Sequence, residues 1–313
     1  MQTLAVVIEG TGRLVTREVQ LSSPEADDIV VDIDWSGISA GTERLLYTGR
    51  MPSFPGLGYP LVPGYESVGR VVQAKPSSGL AIGQSVFVPG ARCFLDARGL
   101  FGGAAQRVIV PAVRVSPIPE TLGENAVLLA LAATARHALP ASLDGHPDLI
   151  VGHGALGRLM ARIAIASGAP APTVWESNTQ RRSGAVGYAA ISPDDDPRKD
   201  YRHIYDASGD GALLDTLITR LAPGGEIVLA GFYAQPLSFA FPPAFMREAR
   251  LRIAAQWLPR NLADVTALIA SGKLSLEGLV THRASAGEAP SAYRTAFEDA
   301  SCIKMVLDWR ACR

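Results

Sequence analysis

The stretch Asp148–Leu159, DLIVGHGALGRL, decides the fold of the second half of the chain. Its three glycines follow a short apolar strand and open a pattern typical of a helix. The first glycine permits a tight turn, the second lets the backbone approach a diphosphate, and the third lets the helix pack closely on the strand. The diphosphate then binds free N–H groups at the positive end of the helix. We therefore predict a dinucleotide-binding loop formed by Gly152, His153, Gly154, Ala155, Leu156 and Gly157.

An acidic residue, Glu176, ends the next predicted strand, 19 residues after Gly157. A carboxylate at this place accepts hydrogen bonds from both hydroxyls of the adenosine ribose and repels a 2′-phosphate. The sequence therefore favours NAD over NADP. Arg181 and Arg182 weaken this preference, because an arginine just past the strand can bind the phosphate, and we include Arg181 among the cofactor contacts. Glycines that serve only a tight turn in an unliganded α/β domain are the alternative interpretation.

Outward from this stretch, strand and helix patterns alternate, which predicts βαβ units and a doubly wound parallel sheet of the Rossmann type. Ligands of such sheets bind beyond the carboxyl ends of the strands. Residues 1–123 are instead rich in β-branched residues, glycine and proline, which predicts a β-rich domain. We expect a Rossmann domain over 124–258 and a C-terminal return over 259–313. The residues expected beside the nicotinamide half are Ala207, Ser208, Gly231 and Phe232.

The composition excludes several classes of protein. Of the 313 residues, 48% are hydrophobic and 19% are charged, so a substantial core is available. The formal net charge of −1 gives no support to nucleic-acid binding, which usually shows a basic excess. Three widely spaced cysteines fit reduced thiols in a cytoplasm, and no apolar run is long enough for a signal peptide or a membrane span. The polar run SPDDDPRKD, 192–200, is expected to be a solvated loop.

Nearly the whole chain resembles the medium-chain dehydrogenase/reductase superfamily. The resemblance rests on SGISAGTERLL, YPLVPGYESVGRVV, GGAAQRVIVP, the glycine motif and THRASAGEAPSAYRTAFED. It implies a GroES-like β-rich catalytic domain followed by a Rossmann domain. An edge strand in EIVLAGF or LRIAAQW often pairs across a homodimer in this superfamily, so the resemblance also implies that a homodimer can form.

The chain differs from zinc-dependent members of the superfamily at the positions of their zinc ligands. Zinc-dependent members have a cysteine in the segment that here contains Ser39, and a histidine where this chain has Tyr65. Their third ligand falls near Ala130, among apolar residues, and Cys93 alone cannot replace a structural zinc lobe that needs four ligands. We therefore predict no metal. Without zinc, a protein group must accept the hydroxyl proton or stabilise the developing oxyanion.

Four residues stand at or beside the vacated positions. We expect Tyr65 to bond the substrate oxygen, Ser39 or Thr42 to relay the proton, and Glu66 to orient or accept it. The alternatives remain open: Tyr65 as packing, Ser39 and Thr42 as helix caps, and Glu66 as the partner of a buried arginine.

The segments WSGISAGTERLLYTGRMP, GYPLVPGYESVGRVV and LAGFYAQPLSFAFPPAFMREAR resemble more closely a subset of the superfamily. The resemblance implies NAD-dependent oxidation of the 3-(1-hydroxyethyl) group of a (bacterio)chlorophyllide to 3-acetyl. A flat chlorin or bacteriochlorin pigment precursor needs aromatic and adaptable walls, and an arginine to pair with its carboxylate. The candidates are Tyr47, Arg50, Met51, Phe54, Tyr59 and Phe232. A zinc-free quinone or enone reductase, and a non-catalytic NAD sensor or partner-binding module, are the other interpretations. Ordinary rigid loops would also contain these prolines and aromatics.

Overall fold

The structure is a computed structural model that describes residues 1–312. The chain divides into two compact units, one formed by Met1–Ala130 with the chain from Leu279 onward, the other by Leu131–Gly278. We call them the β-rich unit and the Rossmann unit. Within residues 1–312 no helix is long and apolar enough to cross a lipid bilayer.

The β-rich unit begins with strands and one short helix. In chain order they are β1 (Gln2–Gly10), β2 (Arg13–Gln20), β3 (Asp28–Ile38), α1 (Thr42–Tyr47), β4 (Ser67–Gln73), β5 (Ser85–Val88), β6 (Arg107–Pro111) and β7 (Ser116–Pro117). The helix α2 (Leu129–Ala138) runs across the boundary between the units.

The Rossmann unit alternates strands and helices as the sequence pattern predicts. Its elements are β8 (Leu149–Val151), α3 (Ala155–Ala166), β9 (Thr173–Trp175), β10 (Ala189–Ile191), β11 (Tyr201–Asp206), α4 (Leu214–Arg220), β12 (Leu221–Leu229), α5 (Phe241–Met246), β13 (Arg250–Ile253) and α6 (Pro259–Ala270). The chain then returns to the β-rich unit with β14 (His282–Ser285), α7 (Ala289–Glu298) and β15 (Met305–Asp308).

Short 3₁₀ segments connect these elements. They cover Pro76–Ser78, Ala112–Arg114, Glu120–Leu128, Thr179–Arg181, Pro193–Asp195, Gly211–Leu213, Ala286–Glu288 and Arg310–Cys312.

The sheet of the Rossmann unit is parallel throughout, in the order β10-β9-β8-β11-β12-β13. Numbered within the unit this is the 3-2-1-4-5-6 order, whose direction reverses between β8 and β11. The three residues of β8, Leu-Ile-Val, are fully buried, as expected of a strand covered on both faces. The glycine loop leaves β8 at this reversal, where ligands of such sheets bind.

The sheet of the β-rich unit is centred on β3, which pairs with β4, β6 and β15. These strands share a core that includes Ile29, Val31 and Ile33 of β3 and Leu307 of β15. The pairing with β15 brings the C-terminal segment beside the residues that immediately precede Ser39, because Met305 is opposite Ile38.

The units differ from the domain boundaries expected after residues 123 and 258. Helix α6 belongs to the Rossmann unit, where Nδ1 of His137 lies 3.1 Å from Oδ1 of Asn261. Arg162 of α3 also donates to the carbonyls of Ser275 and Glu277. These polar contacts keep the segment after α6 in the Rossmann unit, and the chain enters the β-rich unit again at Leu279.

Candidate active site

The glycine loop has the geometry that its motif predicts. Gly152 has a φ of +97°, a conformation that side chains rarely adopt. A Cβ on Gly157 would lie 1.9 Å from the Gly152 carbonyl oxygen, so only glycine permits this helix–loop packing. Gly154 has no atom within 4 Å of where its Cβ would be, which leaves the backbone open to a ligand. Ala155 and Leu156 begin α3, whose first N–H groups have no partner within the helix.

Glu176 directly follows β9, and each of its carboxylate oxygens accepts a backbone N–H. Its Oε2 accepts the His153 N–H at 3.1 Å, and its Oε1 accepts the Asn178 N–H at 2.8 Å. The His153 ring is buried, and this burial lowers the pKa of His153 to about 4. His153 is therefore neutral at physiological pH.

The ends of β8, β11 and β12 lie at one edge of the sheet. Ala207 N–H donates to the Val151 carbonyl, and the Ser208 backbone lies 3.2 Å from where a Gly152 Cβ would be. Gly231 N–H donates to the Asp206 carbonyl. The structure therefore brings these predicted contacts together with the glycine loop, whereas Phe232 is about half exposed at 53%.

In the β-rich unit, two hydroxyl groups meet at the positions where the sequence resemblance led us to expect replaced zinc ligands. Ser39 Oγ and Tyr65 Oη are 2.6 Å apart, and Thr42 lies close enough to interact with the Tyr65 hydroxyl. Neither Ser39 nor Thr42 caps α1, whose N-cap is Gly41 and which has no side-chain capping bond. Burial of the hydroxyl and the charge of Glu66 raise the pKa of Tyr65, so Tyr65 stays protonated and can donate a hydrogen bond.

Beneath these hydroxyls lies a buried group of charges formed by Glu43, Glu66 and Lys304. The Lys304 ammonium lies 2.6 Å from Glu66 Oε2 and also donates to the Ile38 carbonyl. Glu43 Oε1 accepts the Ser39 N–H at 3.3 Å. Both glutamates have 0% exposure, and Glu43 Oε2 and Glu66 Oε1 have no hydrogen-bond partner among the described residues.

The two buried glutamates of this group differ in protonation state. Burial raises the pKa of Glu43 to about 8; Tyr293 and the Ser39 N–H oppose the rise, and the charge of Glu66 adds to it. Tyr293 lies close enough to interact with this carboxyl group, whereas Oε2 accepts no hydrogen bond from the described residues. Glu43 is therefore mostly protonated at neutral pH, and the charged pair is Glu66 with Lys304.

Sequence reasoning missed Lys304, Glu43 and Tyr293. The lone lysine in the apolar run IKMVLDW, 303–309, is the one signal that could have indicated a buried cation. The expected arginine partner of Glu66 is in fact this lysine, 238 residues away in the chain.

A strained aromatic residue, Phe101, packs against Tyr65. Phe101 has a φ of +68°, which is costly for a bulky side chain. Its carbonyl accepts the Ala91 N–H at 2.6 Å, and a Cβ on Gly90 would lie 2.0 Å from that oxygen. The Phe101 ring meets Tyr65 edge-on, with ring centroids 5.1 Å apart. Close backbone packing therefore holds this strained residue beside the hydroxyl pair.

The expected substrate residues of loop 46–61 divide into two groups. Met51, Tyr47 and Tyr59 pack in a small apolar cluster with Ile8 and Leu46, and the Tyr59 hydroxyl donates to the Leu46 carbonyl. Arg50 and Phe54 are exposed. The first group anchors the loop, and the second remains accessible to a ligand.

The side chains at the vacated positions do not fit a zinc ion. Zinc is bound by thiolate, imidazole or carboxylate, whereas Ser39 and Tyr65 offer a hydroxyl and a protonated phenol. Within residues 1–312, no three His, Cys, Asp or Glu side chains gather as a metal site.

Comparison with known proteins defines the family. The alcohol dehydrogenase GroES-like domain matches residues 25–120. The chain is 57% identical to 2-desacetyl-2-hydroxyethyl bacteriochlorophyllide A dehydrogenase of Rhodobacter capsulatus over 99% of both chains. It is equally similar, at 57% and the same coverage, to the dehydrogenase of that name from Cereibacter sphaeroides.

The chain belongs to the medium-chain dehydrogenase/reductase superfamily. It is an oxidoreductase that acts on an alcohol, so the non-catalytic interpretation falls away. The resemblance drawn from the sequence is thereby confirmed.

Solved structures agree on the fold of this superfamily member. L-idonate 5-dehydrogenase from Escherichia coli matches with a TM-score of 0.86 at 19% identity over 98% of both chains. 2R,3R-butanediol dehydrogenase from Bacillus subtilis matches with a TM-score of 0.84 at 18% identity, over 98% of this chain and 99% of its own. The predicted Rossmann sheet and GroES-like domain are confirmed.

Proposed function

We propose that the protein oxidises the 3-(1-hydroxyethyl) group of a chlorophyllide or bacteriochlorophyllide to a 3-acetyl group, with NAD as the oxidant and without zinc. The names of the two relatives that are 57% identical support this substrate. The observation that carries the zinc-independent chemistry is the hydroxyl pair Ser39–Tyr65, 2.6 Å apart at the vacated ligand positions.

The glycine loop and Glu176 fit a dinucleotide. The open backbone at Gly154 and the start of α3 would hold the diphosphate, and Glu176 would accept hydrogen bonds from the adenosine ribose. Arg182 does not favour NADP, because its guanidinium donates to the carbonyls of Glu176 and Ser177. A bound NAD would supply the hydride acceptor for oxidation of the carbinol carbon.

The hydroxyl pair would manage the proton of the alcohol. Oxidation breaks the C–H and O–H bonds of the carbinol, so the hydroxyl proton must leave as the hydride is transferred. Tyr65, kept protonated by its surroundings, donates a hydrogen bond to the substrate oxygen. Ser39 or Thr42 would relay the released proton to bulk water, and the charge of Glu66, paired with Lys304, keeps the Tyr65 proton in place.

The pigment would lie against the exposed residues of loop 46–61. Phe54 offers one aromatic face to the macrocycle, and Phe101 offers a second one beside Tyr65. The exposed Arg50 would form an ion pair with a propionate carboxylate of the macrocycle. Tyr47, Met51 and Tyr59 would support this wall from the apolar cluster behind it. Phe232, the other predicted substrate residue, is exposed in the Rossmann unit.

A zinc-free quinone or enone reductase is the second candidate, because it too would need no metal ligand. Such enzymes usually use NADPH, and Glu176 argues against them. The reductase would consume NADPH with an enone and leave a hydroxyethyl pigment unchanged.

The test is direct turnover. Purified protein is incubated with NAD and a 3-(1-hydroxyethyl) chlorin, and we expect equimolar NADH and a red-shifted pigment band. Elemental analysis of the same sample should find far less than one zinc per chain, and a chelator should not change the rate. One zinc per chain that is lost together with activity would overturn the zinc-free mechanism, and absence of turnover would overturn the substrate.

A further inference from the structure

A buried arginine, Arg158, lies at the start of helix α3. It is 4% exposed, and its guanidinium donates to three backbone carbonyls, those of His153, Arg181 and Ser183, at 2.8–2.9 Å. Burial lowers the pKa of Arg158, and no carboxylate forms an ion pair with it in residues 1–312. A buried charge paired only with neutral groups is costly, so this arrangement calls for a reason beyond stability.

The imidazole of His153 makes a second set of bonds to the same loop. Nδ1 lies 2.6 Å from the Arg181 carbonyl, which can only accept, so Nδ1 carries the hydrogen. Nε2 therefore accepts from the Tyr188 hydroxyl at 2.8 Å. Because the backbone N–H of His153 also donates to Glu176, this one residue connects the glycine loop to both Glu176 and the segment after it.

The loop 177–184 closes over the guanidinium. Gly184 has a φ of +79°, and a Cβ there would lie 2.5 Å from Arg158 Nη1. Within the loop, Arg182 is turned back onto the carbonyls of Glu176 and Ser177. We call Arg158, His153, Tyr188 and the carbonyls they bind the loop clamp.

We propose that the loop clamp makes Arg158 a positioning residue for cofactor choice. It holds the Glu176 carboxylate where it can bind an unphosphorylated ribose, and it holds Arg182 away from the place that a 2′-phosphate would occupy. The inference rests on the proposed use of NAD. Both Glu176 oxygens accept backbone N–H groups, one of them from the residue whose carbonyl Arg158 holds. Removing the guanidinium of Arg158 should therefore increase the mobility of both the Glu176 carboxylate and the loop 177–184.

The experiment compares Arg158→Met with Arg162→Met. Arg162 lies one turn further along α3 and also donates to two backbone carbonyls, those of Ser275 and Glu277, away from the glycine loop. Calorimetric titration gives Kd for NAD and for NADP. We expect Arg158→Met to weaken NAD binding about 10- to 100-fold and NADP binding less, because charged hydrogen bonds are lost. For Arg162→Met, the ratio of the two Kd values should stay within about twofold of the ratio in the unaltered protein. An unchanged ratio in Arg158→Met would overturn the proposal.

A double-mutant cycle with Glu176→Ala identifies the route. If Arg158 acts through Glu176, the double variant should show the same NAD-to-NADP ratio as Glu176→Ala alone. Additive losses would mean that Arg158 acts elsewhere and would refute the positioning role. If Glu176→Ala itself leaves the ratio unchanged, the proposed NAD preference fails; if only Arg158→Met leaves it unchanged, the clamp alone fails.

Tyr188→Phe keeps the test decisive where Arg158→Met does not fold. This variant removes one hydroxyl hydrogen bond to His153 and keeps the ring, whose edge-on contact with His153 has centroids 5.5 Å apart. We expect the ratio of NAD affinity to NADP affinity to fall by about 2- to 10-fold, the range of one neutral hydrogen bond. A ratio equal to that of the unaltered protein would count against the clamp.

Discussion

The loop clamp and the buried charges beneath Tyr65 both remove ionised groups from water, but they satisfy them in opposite ways. Around Arg158, three carbonyls accept from the guanidinium, and both nitrogens of His153 have partners. Around Lys304, the ammonium pairs with Glu66 while the nearby Glu43 carboxyl stays mostly protonated, and among the described residues one oxygen of each glutamate has no hydrogen-bond partner. A fully bonded network fixes geometry, whereas a partly bonded one retains a choice of protonation states.

The largest expected effect comes from removing the ammonium of the second region. Lys304→Met leaves the Glu66 carboxylate buried and unpaired, so the free energy of unfolding should fall by about 3–5 kcal/mol at neutral pH. Urea denaturation measures this change in the free energy of unfolding.

Two matched variants complete the test of Lys304. Adding Glu66→Gln to Lys304→Met should restore much of the stability, because no charge is then left unpaired. Arg252→Met breaks a partly exposed pair with Glu226 and hydrogen bonds to the Ala138 carbonyl and the Tyr205 hydroxyl, and should cost about 1–2 kcal/mol, less than Lys304→Met. If Lys304→Met and Arg252→Met cost the same, the ion pair is less buried than the structure shows.

The next largest effect should be on rate. Tyr65→Phe removes the hydroxyl that meets Ser39 and keeps the ring that packs on Phe101. We expect kcat to fall by about 10²–10³, the usual cost of one donor to a developing oxyanion, with little change in NAD affinity or unfolding. Tyr205→Phe, which loses a hydroxyl bond to the Gly145 carbonyl, is the control and should stay within about twofold. A Tyr65→Phe rate that matches this control would remove Tyr65 from the mechanism.

These two regions were not equally predictable. The glycine loop, the strand before it and Glu176 occupy 29 consecutive positions, 148–176, so local pattern and turn chemistry predicted their arrangement. Glu66 and Lys304 are 238 residues apart, and no local signal specifies that β15 pairs with β3. The left-handed Phe101 follows from close backbone packing that no pattern encodes.

One local expectation was also incomplete. The run 192–200 is exposed over most of its length, but Asp196 is buried and accepts hydrogen bonds from Trp175 Nε1 and the Tyr201 hydroxyl. Composition identified the loop, and only tertiary contacts identify the aspartate that anchors it.

A smaller effect is expected at the ribose end of the first region. Glu176→Ala should weaken NAD binding by about 10- to 150-fold, equivalent to about 1.5–3 kcal/mol for charge-assisted hydrogen bonds, and NADP binding much less. Direct titration with both dinucleotides measures the change. The same affinity ratio before and after the substitution would mean that Glu176 does not contact the ribose, and its two backbone bonds would then be its whole role.

The smallest expected effect is a pH dependence of stability, which has opposite signs in the two regions. Glu43 has a folded pKa near 8 against an ordinary value of 4.5, so between these values the folded chain holds a proton that the unfolded chain has lost. Stability from this group is complete below pH 4.5 and is lost as pH rises toward 8, by about 1.4 kcal/mol per unit. His153, with a folded pKa near 4 against 6.5, acts in the opposite sense, and its contribution is lost as pH falls from 6.5 to 4.

Glu43→Gln isolates the first of these effects, because glutamine resembles the protonated carboxyl and does not titrate. Above pH 6.5 the His153 term is constant in both proteins, so the difference in unfolding free energy between Glu43→Gln and the unaltered chain reports Glu43 alone. We expect this difference to shift in favour of Glu43→Gln by about 1.4 kcal/mol from pH 6.5 to 7.5, measured by urea denaturation. Parallel curves would show that Glu43 is already ionised in the folded chain. The Lys304 ammonium would then hold two carboxylates, and the choice of protonation states that distinguishes this region from the loop clamp would be absent.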